Sequence, residues 1–248
     1  MVNHLLEIVT NHGLNQVLYN VFFALGFVAV FTFNLLNCKN FDIPKWKSVV
    51  LTIAVYTLSV LWMFFLYWVA HGFKDWGGNN IVRIFIWVPV FTWPVCKLLK
   101  LDFLKCCEFI APCLCVVHGV AHLGCIFAGC CHGYAWDYGI MNHALGYKTF
   151  PIQPIEAITA LLIVVFIWGR QKRMNFKLDG LSYPLMLMLF GYSRFLYEFA
   201  RDNEKMFLGI SGLAIHALIA GLVGSIWYIT VKDINRRKLS GKGRRART

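Results

Sequence analysis

Seven stretches of this chain, each close to the length of a membrane-crossing helix, are almost free of charge, and they leave little freedom for the fold. They run roughly Gln16 to Leu36, Ser48 to Ala70, Asn80 to Leu98, Pro112 to Cys131, Pro154 to Trp168, Leu181 to Ala200 and Phe207 to Thr230. A helix needs about 20 apolar residues to cross a hydrocarbon core, and all but the fifth reach that range. A chain of 248 residues with 58% hydrophobic and only 15% charged residues is not an ordinary soluble domain, because such domains carry about 25% charge. The expected class is all-α: a polytopic membrane protein of seven transmembrane helices. Pro89 and Pro94 are expected to kink the third span by removing backbone donors.

Charge placement orients the spans. Of the 24 Lys and Arg residues, eighteen fall on one side: Lys39, Lys45, Lys47, Lys97, Lys100, Lys105, Arg170, Lys172, Arg173, Lys177 and the eight of the C-terminal tail. Lys74, Lys148, Arg201 and Lys205 fall on the other, and Arg83 and Arg194 lie within spans. Basic loops stay cytoplasmic, so the N-terminus is expected outside and the C-terminus inside. The net charge of +12 therefore reads as a topology signal near anionic lipid, and no nucleic-acid partner is expected. The expected division is an interfacial segment over 1–15 with Leu5, Leu6, Val9 and Leu14, a seven-helix domain over 16–231, and a basic cytoplasmic tail over 232–248. No cleavable signal is evident.

Ionisable groups at membrane depth are costly and mark function by default. On the outer half of the fourth span, His118, His122 and Cys125 fall at i, i+4 and i+7, on one helical face. Gln153 and Glu156 open the fifth span. Arg194, Tyr197, Glu198 and Arg201 share one face at the end of the sixth, and Arg83 sits near the outer end of the third. Three segments thus bring Arg, Glu, Gln and His to one depth. Guanidinium forks suit oxyanions, and the phosphate native to that depth is a phospholipid head group. The bland alternative is a set of interhelical ion pairs and snorkelling side chains.

Cys125, Cys130, Cys131 and His132 cluster in sequence with His118 and His122, the residue types of zinc and copper sites. Their spacing matches no common ligand pattern, and thiols in a glycine-rich helix are more often packing residues. No metal or cofactor is expected, although a metal-handling membrane protein and a disulfide remain alternatives. Gly209, Gly212, Gly221 and Gly224 are expected to permit close helix approach around the seventh span, with His216 there a packed polar residue.

These motifs, in this order, resemble the bacterial prolipoprotein diacylglyceryl transferases. The segment from His122 to Gly133, with Gly124, Cys125, Gly129, Cys130 and Cys131, resembles the family signature. Pro151-Ile-Gln153-Pro154-Ile-Glu156 resembles its Pro-x-Gln-x-x-Glu, and Arg194, Glu198 and Arg201 resemble its Arg-x-x-x-Glu-x-x-Arg. The likeness in order and spacing covers roughly residues 110 to 220. It implies transfer of the diacylglyceryl group of phosphatidylglycerol to the lipobox cysteine of a prolipoprotein signal peptide, with glycerol phosphate leaving. It also implies a bacterial cytoplasmic membrane location, with the site facing outward. Arg194 and Arg201 would hold the phosphate, Glu198 would steady them, and Gln153 and Glu156 would contact glycerol hydroxyls. His122 or His118 would take the thiol proton. Tyr197, Gly124, Gly129 and Gly133 complete the expected substrate-binding set. His122 stands where the signature has Arg, and Arg83 is expected to supply that charge. The same pocket could serve a non-catalytic lipid- or anion-binding or transport protein.

Overall fold

The computed structural model describes residues 12–70, 72–73, 81–142, 144–202 and 210–245, with the backbone path alone at 12–13, 70, 81–83 and 239–245. Among the described residues there are seven α-helices: α1 (His12–Asn37), α2 (Lys45–Ala70), α3 (Ile81–Leu99), α4 (Phe103–Ala128), α5 (Ile152–Arg173), α6 (Ser182–Glu198) and α7 (Gly212–Arg245). Five apolar stretches are long enough to cross a membrane: Leu14–Phe41, Lys45–Val69, Phe103–Ala128, Ile152–Arg173 and Gly212–Lys238. The apolar part of α3 is shorter, Ile84–Leu99, and α6 has 17 residues. The protein is therefore a helical membrane protein. Most of the expected 1–15 segment, Lys74, Lys205, Gly209 and the side chain of Arg83 lie outside the described residues.

Four expected boundaries move. The fourth helix starts nine residues before Pro112, where the Asp102 side chain caps it by accepting from the Lys105 amide at 2.8 Å. It stops at Ala128, because Gly129 turns left-handed at φ 67°, so Cys130 and Cys131 have left the helix. The fifth helix is a full 22 residues, carried past its apolar run by Arg170, Lys172 and Arg173 in its last turn, where cations favour the helix dipole. The expected separate tail continues α7 as helix to Arg245. The all-α expectation misses one element: an antiparallel hairpin, β1 (Ala135–Asn142) and β2 (Tyr147–Thr149), between α4 and α5.

Helix α4 is the central post, packed by α1, α5, α6 and α3. Small residues let the backbones close in, since lipid supplies no hydrophobic drive for helix association. A Cβ on Gly119 would lie 3.1 Å from the Ala157 carbonyl of α5, and one on Gly124 3.1 Å from the Tyr19 carbonyl of α1. The α6–α7 pair meets at Gly191 and Gly221, and a Cβ on Gly224 would stand 2.5 Å from the Met188 nitrogen. Expected close approach at Gly221 and Gly224 is thus observed. His216 bonds the Gly212 carbonyl one turn back, at 2.6 Å.

Buried polar bonds stitch the helices together. Asn34 of α1 donates to Thr52 of α2 at 2.7 Å and accepts from the Cys113 thiol of α4 at 2.6 Å. At one end of the bundle, Lys47 caps the Leu99 carbonyl at 2.7 Å, Trp168 donates to Asn37 at 2.9 Å and Gln171 donates to the Glu108 carbonyl at 2.7 Å. There too the Glu108 carboxylate accepts the Ser182 amide, and Asn235 donates to the Asp179 carbonyl. The loops rich in Lys and Arg gather at this end. The other end holds the tail of α4, the start of α5, the tail of α6 and the hairpin.

Candidate active site

Glu156, one turn into α5 and 2% exposed, is the hub of that second end. Its Oε1 accepts from Arg194 Nη1 at 2.7 Å and Arg201 Nε at 3.2 Å. Its Oε2 accepts from Arg201 Nη2 at 2.6 Å and lies 2.7 Å from His122 Nε2. His118 Nε2 stands 4.0 Å away, and its ring packs edge-on against Phe85 and Phe190. Glu198 pairs with Arg194 and lies 3.5 Å from Arg201 Nε, while Ser211 donates to its Oε2 at 2.8 Å. Two buried guanidinium groups thus face two buried carboxylates. Such charges persist in an apolar bundle only when paired and hydrogen-bonded.

The expected residues converge, with changes in how they arrive. His122, Glu156, Arg194, Glu198 and Arg201 form one connected network, with His118 at its edge. Arg201 does not reach it by helical periodicity, since α6 ends at Glu198. It sits in an extended segment paired as a β-bridge with Gly133. There the Tyr134 amide donates to the Ala200 carbonyl at 3.2 Å, and the Asp202 amide to the His132 carbonyl at 3.3 Å. Tyr197 turns away, its hydroxyl 2.5 Å from that of Thr159. Gln153 donates to the Cys130 carbonyl at 3.0 Å, and its Oε1 has no protein partner among the described residues.

The three glycines have backbone reasons. Gly124 admits α1, as above. A Cβ on Gly129 would stand 2.5 Å from Asn142 Oδ1, and one on Gly133 2.7 Å from the Phe150 carbonyl. Asn142 ties the turn to the hairpin by donating to the Gly129 carbonyl at 3.0 Å. Ser211 and Asn142 are site supports that the spacing arguments did not reach. Ser211 also caps α7 by accepting the Ala214 amide, and a serine before an apolar run is the sequence signal for it.

Charge is balanced locally. Burial opposes the charge on Arg201, but Glu156 and the Cys131 thiol raise its pKa above the ordinary guanidinium value. Hydrogen bonds from Cys125 and Cys130 push the Cys131 thiol below the usual thiol range, with burial opposing and Arg201 assisting. Among the described residues only Nη1 of Arg194 is engaged. A guanidinium carries five N–H donors, so Arg194 keeps donors for an oxyanion. A small cavity lined by His118, Glu156, Thr159, Phe190, Arg194 and Tyr197 lies beside these groups.

A helical membrane bundle whose one end holds a buried arginine–glutamate–histidine network defines a class: polytopic membrane proteins with a buried charged site, the kind of feature that marks a candidate functional centre. The sequence comparison narrows the class. A model of the prolipoprotein diacylglyceryl transferase family matches residues 7–232, and the chain belongs to that family. Two relatives come from Clostridium perfringens (strain 13 / Type A). Phosphatidylglycerol–prolipoprotein diacylglyceryl transferase 2 is 24% identical over 179 residues, covering 68% of this chain and 69% of the relative. Phosphatidylglycerol–prolipoprotein diacylglyceryl transferase 1 is 22% identical over 248 residues, covering 90% and 93%.

Proposed function

We propose that this protein transfers the diacylglyceryl group of phosphatidylglycerol to the cysteine thiol of a prolipoprotein lipobox. In this reading it spans the bacterial cytoplasmic membrane seven times, with its N-terminus outside, its C-terminus inside and the site at the outer face. The observation that carries the reading is the Glu156 hub on α5, which draws together His122 from α4 and Arg194 and Arg201 from the end of α6 and just beyond it, in a family member.

The chemistry follows from the donors. The lipobox sulfur forms a bond to the glyceryl carbon, the carbon–oxygen bond to the phosphate breaks, and glycerol phosphate departs with that electron pair. Arg194 and Arg201 bind the phosphate and stabilise the charge that grows on it, a preorganised contribution of about 3 kcal/mol per lost donor. Glu156 takes the orienting role first given to Glu198 alone, holding both guanidinium groups and the His122 ring. Because Nε2 of His122 faces Glu156, Nδ1 is the nitrogen left to take the thiol proton, the arrangement of a carboxylate-oriented histidine base. Arg83 is assigned the charge that the family signature places where His122 stands. Gln153 contacts the glyceryl moiety through its unpartnered Oε1.

The test is release of water-soluble glycerol phosphate from labelled phosphatidylglycerol by the purified protein, with and without a lipobox peptide. Release that needs both the peptide and Arg194 is expected. Release without peptide would redirect the reading to another acceptor. Lipid binding with no release would replace it with a binding or transport role.

A further inference from the structure

Beside the Glu156 hub, the turn after α4 folds Cys131 back over the helix end, so that it meets residues six and nine positions earlier. Ligand atoms of His122, Cys125 and Cys131 all lie within 4.8 Å of one another, and Cys125 Sγ is 3.9 Å from His122 Nδ1. In a tetrahedral zinc site, bond lengths near 2.3 Å to sulfur and 2.0–2.1 Å to nitrogen place neighbouring S and N ligands about 3.6 Å apart. The observed separation needs only a few tenths of an ångström of closure.

The geometry points to a binding site for a thiophilic closed-shell cation of the zinc type, held by three protein ligands, His122 Nδ1, Cys125 and Cys131. Three features favour it. Glu156 Oε2 lies 2.7 Å and Arg201 Nη2 3.0 Å from His122 Nε2; in the tautomer that donates from Nε2 to Glu156, the Nδ1 lone pair is left toward the sulfurs. This is the carboxylate–histidine–metal relay that orients ligands at zinc. Two thiolates and one neutral imidazole around a divalent cation carry no net charge, so the site needs no counter-charge from the neighbouring network of Arg194, Arg201, Glu156 and Glu198, which is already balanced. The other ligand cluster, His118, His122 and Glu156, is unsuited, because both guanidinium groups already occupy its only carboxylate.

The site lies in the turn that also supplies Gly133, the backbone partner of Arg201. Metal on Nδ1 and proton transfer at Nδ1 are mutually exclusive, so an occupied site withholds His122 from acting as a base. The binding claim does not rest on the transferase reading.

The experiment uses the full chain, purified reduced in detergent and titrated with zinc and, separately, with cobalt(II). The expected result is one equivalent of zinc retained per chain after desalting, release of about two protons on binding, and thiolate-to-cobalt charge-transfer absorption. The double variant Cys125→Ser, Cys131→Ser should bind zinc at least 100-fold more weakly, whereas Cys106→Ser, Cys107→Ser should bind as wild type. If the first variant fails to fold, wild-type protein still decides: zinc should protect Cys131 from maleimide. Three results would overturn the assignment: no retained zinc, cobalt bound without thiolate charge transfer, or thiols equally reactive with and without zinc.

Discussion

Replacing Glu156 by Gln keeps the shape of the hub and removes its charge, leaving Arg194, Arg201 and Glu198 with an excess positive charge in a region at most 7% exposed. A unit charge pair 4 Å apart is worth about 4 kcal/mol at an effective dielectric constant of 20. Breaking a buried pair by deleting one partner costs about 3–5 kcal/mol, since the other charge stays behind. Glu156 serves two guanidinium groups through three hydrogen bonds, so the upper part of that range applies. The amide has one acceptor oxygen, and in either orientation its NH2 must face an Arg201 donor, together with Arg194 at one position or His122 at the other. Thermal unfolding in detergent should therefore show a loss of about 4–5 kcal/mol. Glycerol phosphate release should fall about 100- to 1,000-fold, as roughly 3–4 kcal/mol of arginine placement is lost at about 1.4 kcal/mol per decade. Glu156→Asp, which keeps the charge on a shorter arm, should lie between. A Gln variant that melts within about 1 kcal/mol of wild type and keeps activity within threefold would refute the hub as the organiser of the site.

Other outcomes follow from single contacts. Arg194→Lys retains charge but not the fork, and should lower release at least tenfold while leaving the unfolding midpoint nearly unchanged. Gly224→Ala places a Cβ 2.5 Å from the Met188 nitrogen, so the α6–α7 pair should lose about 1–3 kcal/mol on thermal unfolding, the usual cost of overpacking. Ser211→Ala removes both the bond to Glu198 and the cap on Ala214; a loss of about 1–2 kcal/mol is expected. A membrane-impermeant maleimide added to intact cells should label exposed Cys130 but not a cysteine placed at Lys177. The reverse pattern would invert the proposed topology.

The helices and the end at which their polar residues gather were legible because charge inside long apolar stretches is rare enough to be counted, and because i, i+3, i+4 spacing puts His118 with His122 and Arg194 with Glu198 on single faces. What escaped depended on chain reversal. Arg201 was assigned to the right place for an incomplete reason, since it arrives by a backbone bridge to Gly133 rather than on a helix. The hairpin was hidden because Trp136, Tyr138 and Ile140 alternate over too short a run, without an Asn-Gly turn to announce it. Glu108, a carboxylate beneath the longest buried stretch of α4, carried the same signal as Glu156 but had no visible partner; its partners, Gln171 and Ser182, come from 63 and 74 positions away. The metal-ligand geometry could not be read from spacing, because the ligands join only after Gly129 breaks the helix.

The bridge between Gly133 and Arg201 bears on how freely this sequence can drift. Its hydrogen bonds join peptide groups of residues 132, 134, 200 and 202, and none of them depends on a side chain. The location of a buried guanidinium is thus encoded in main chain and in one small residue. Substitutions along that seam, Gly133 excepted, should be nearly silent. A site built this way tolerates extensive rewriting around it and still presents Arg201 to Glu156.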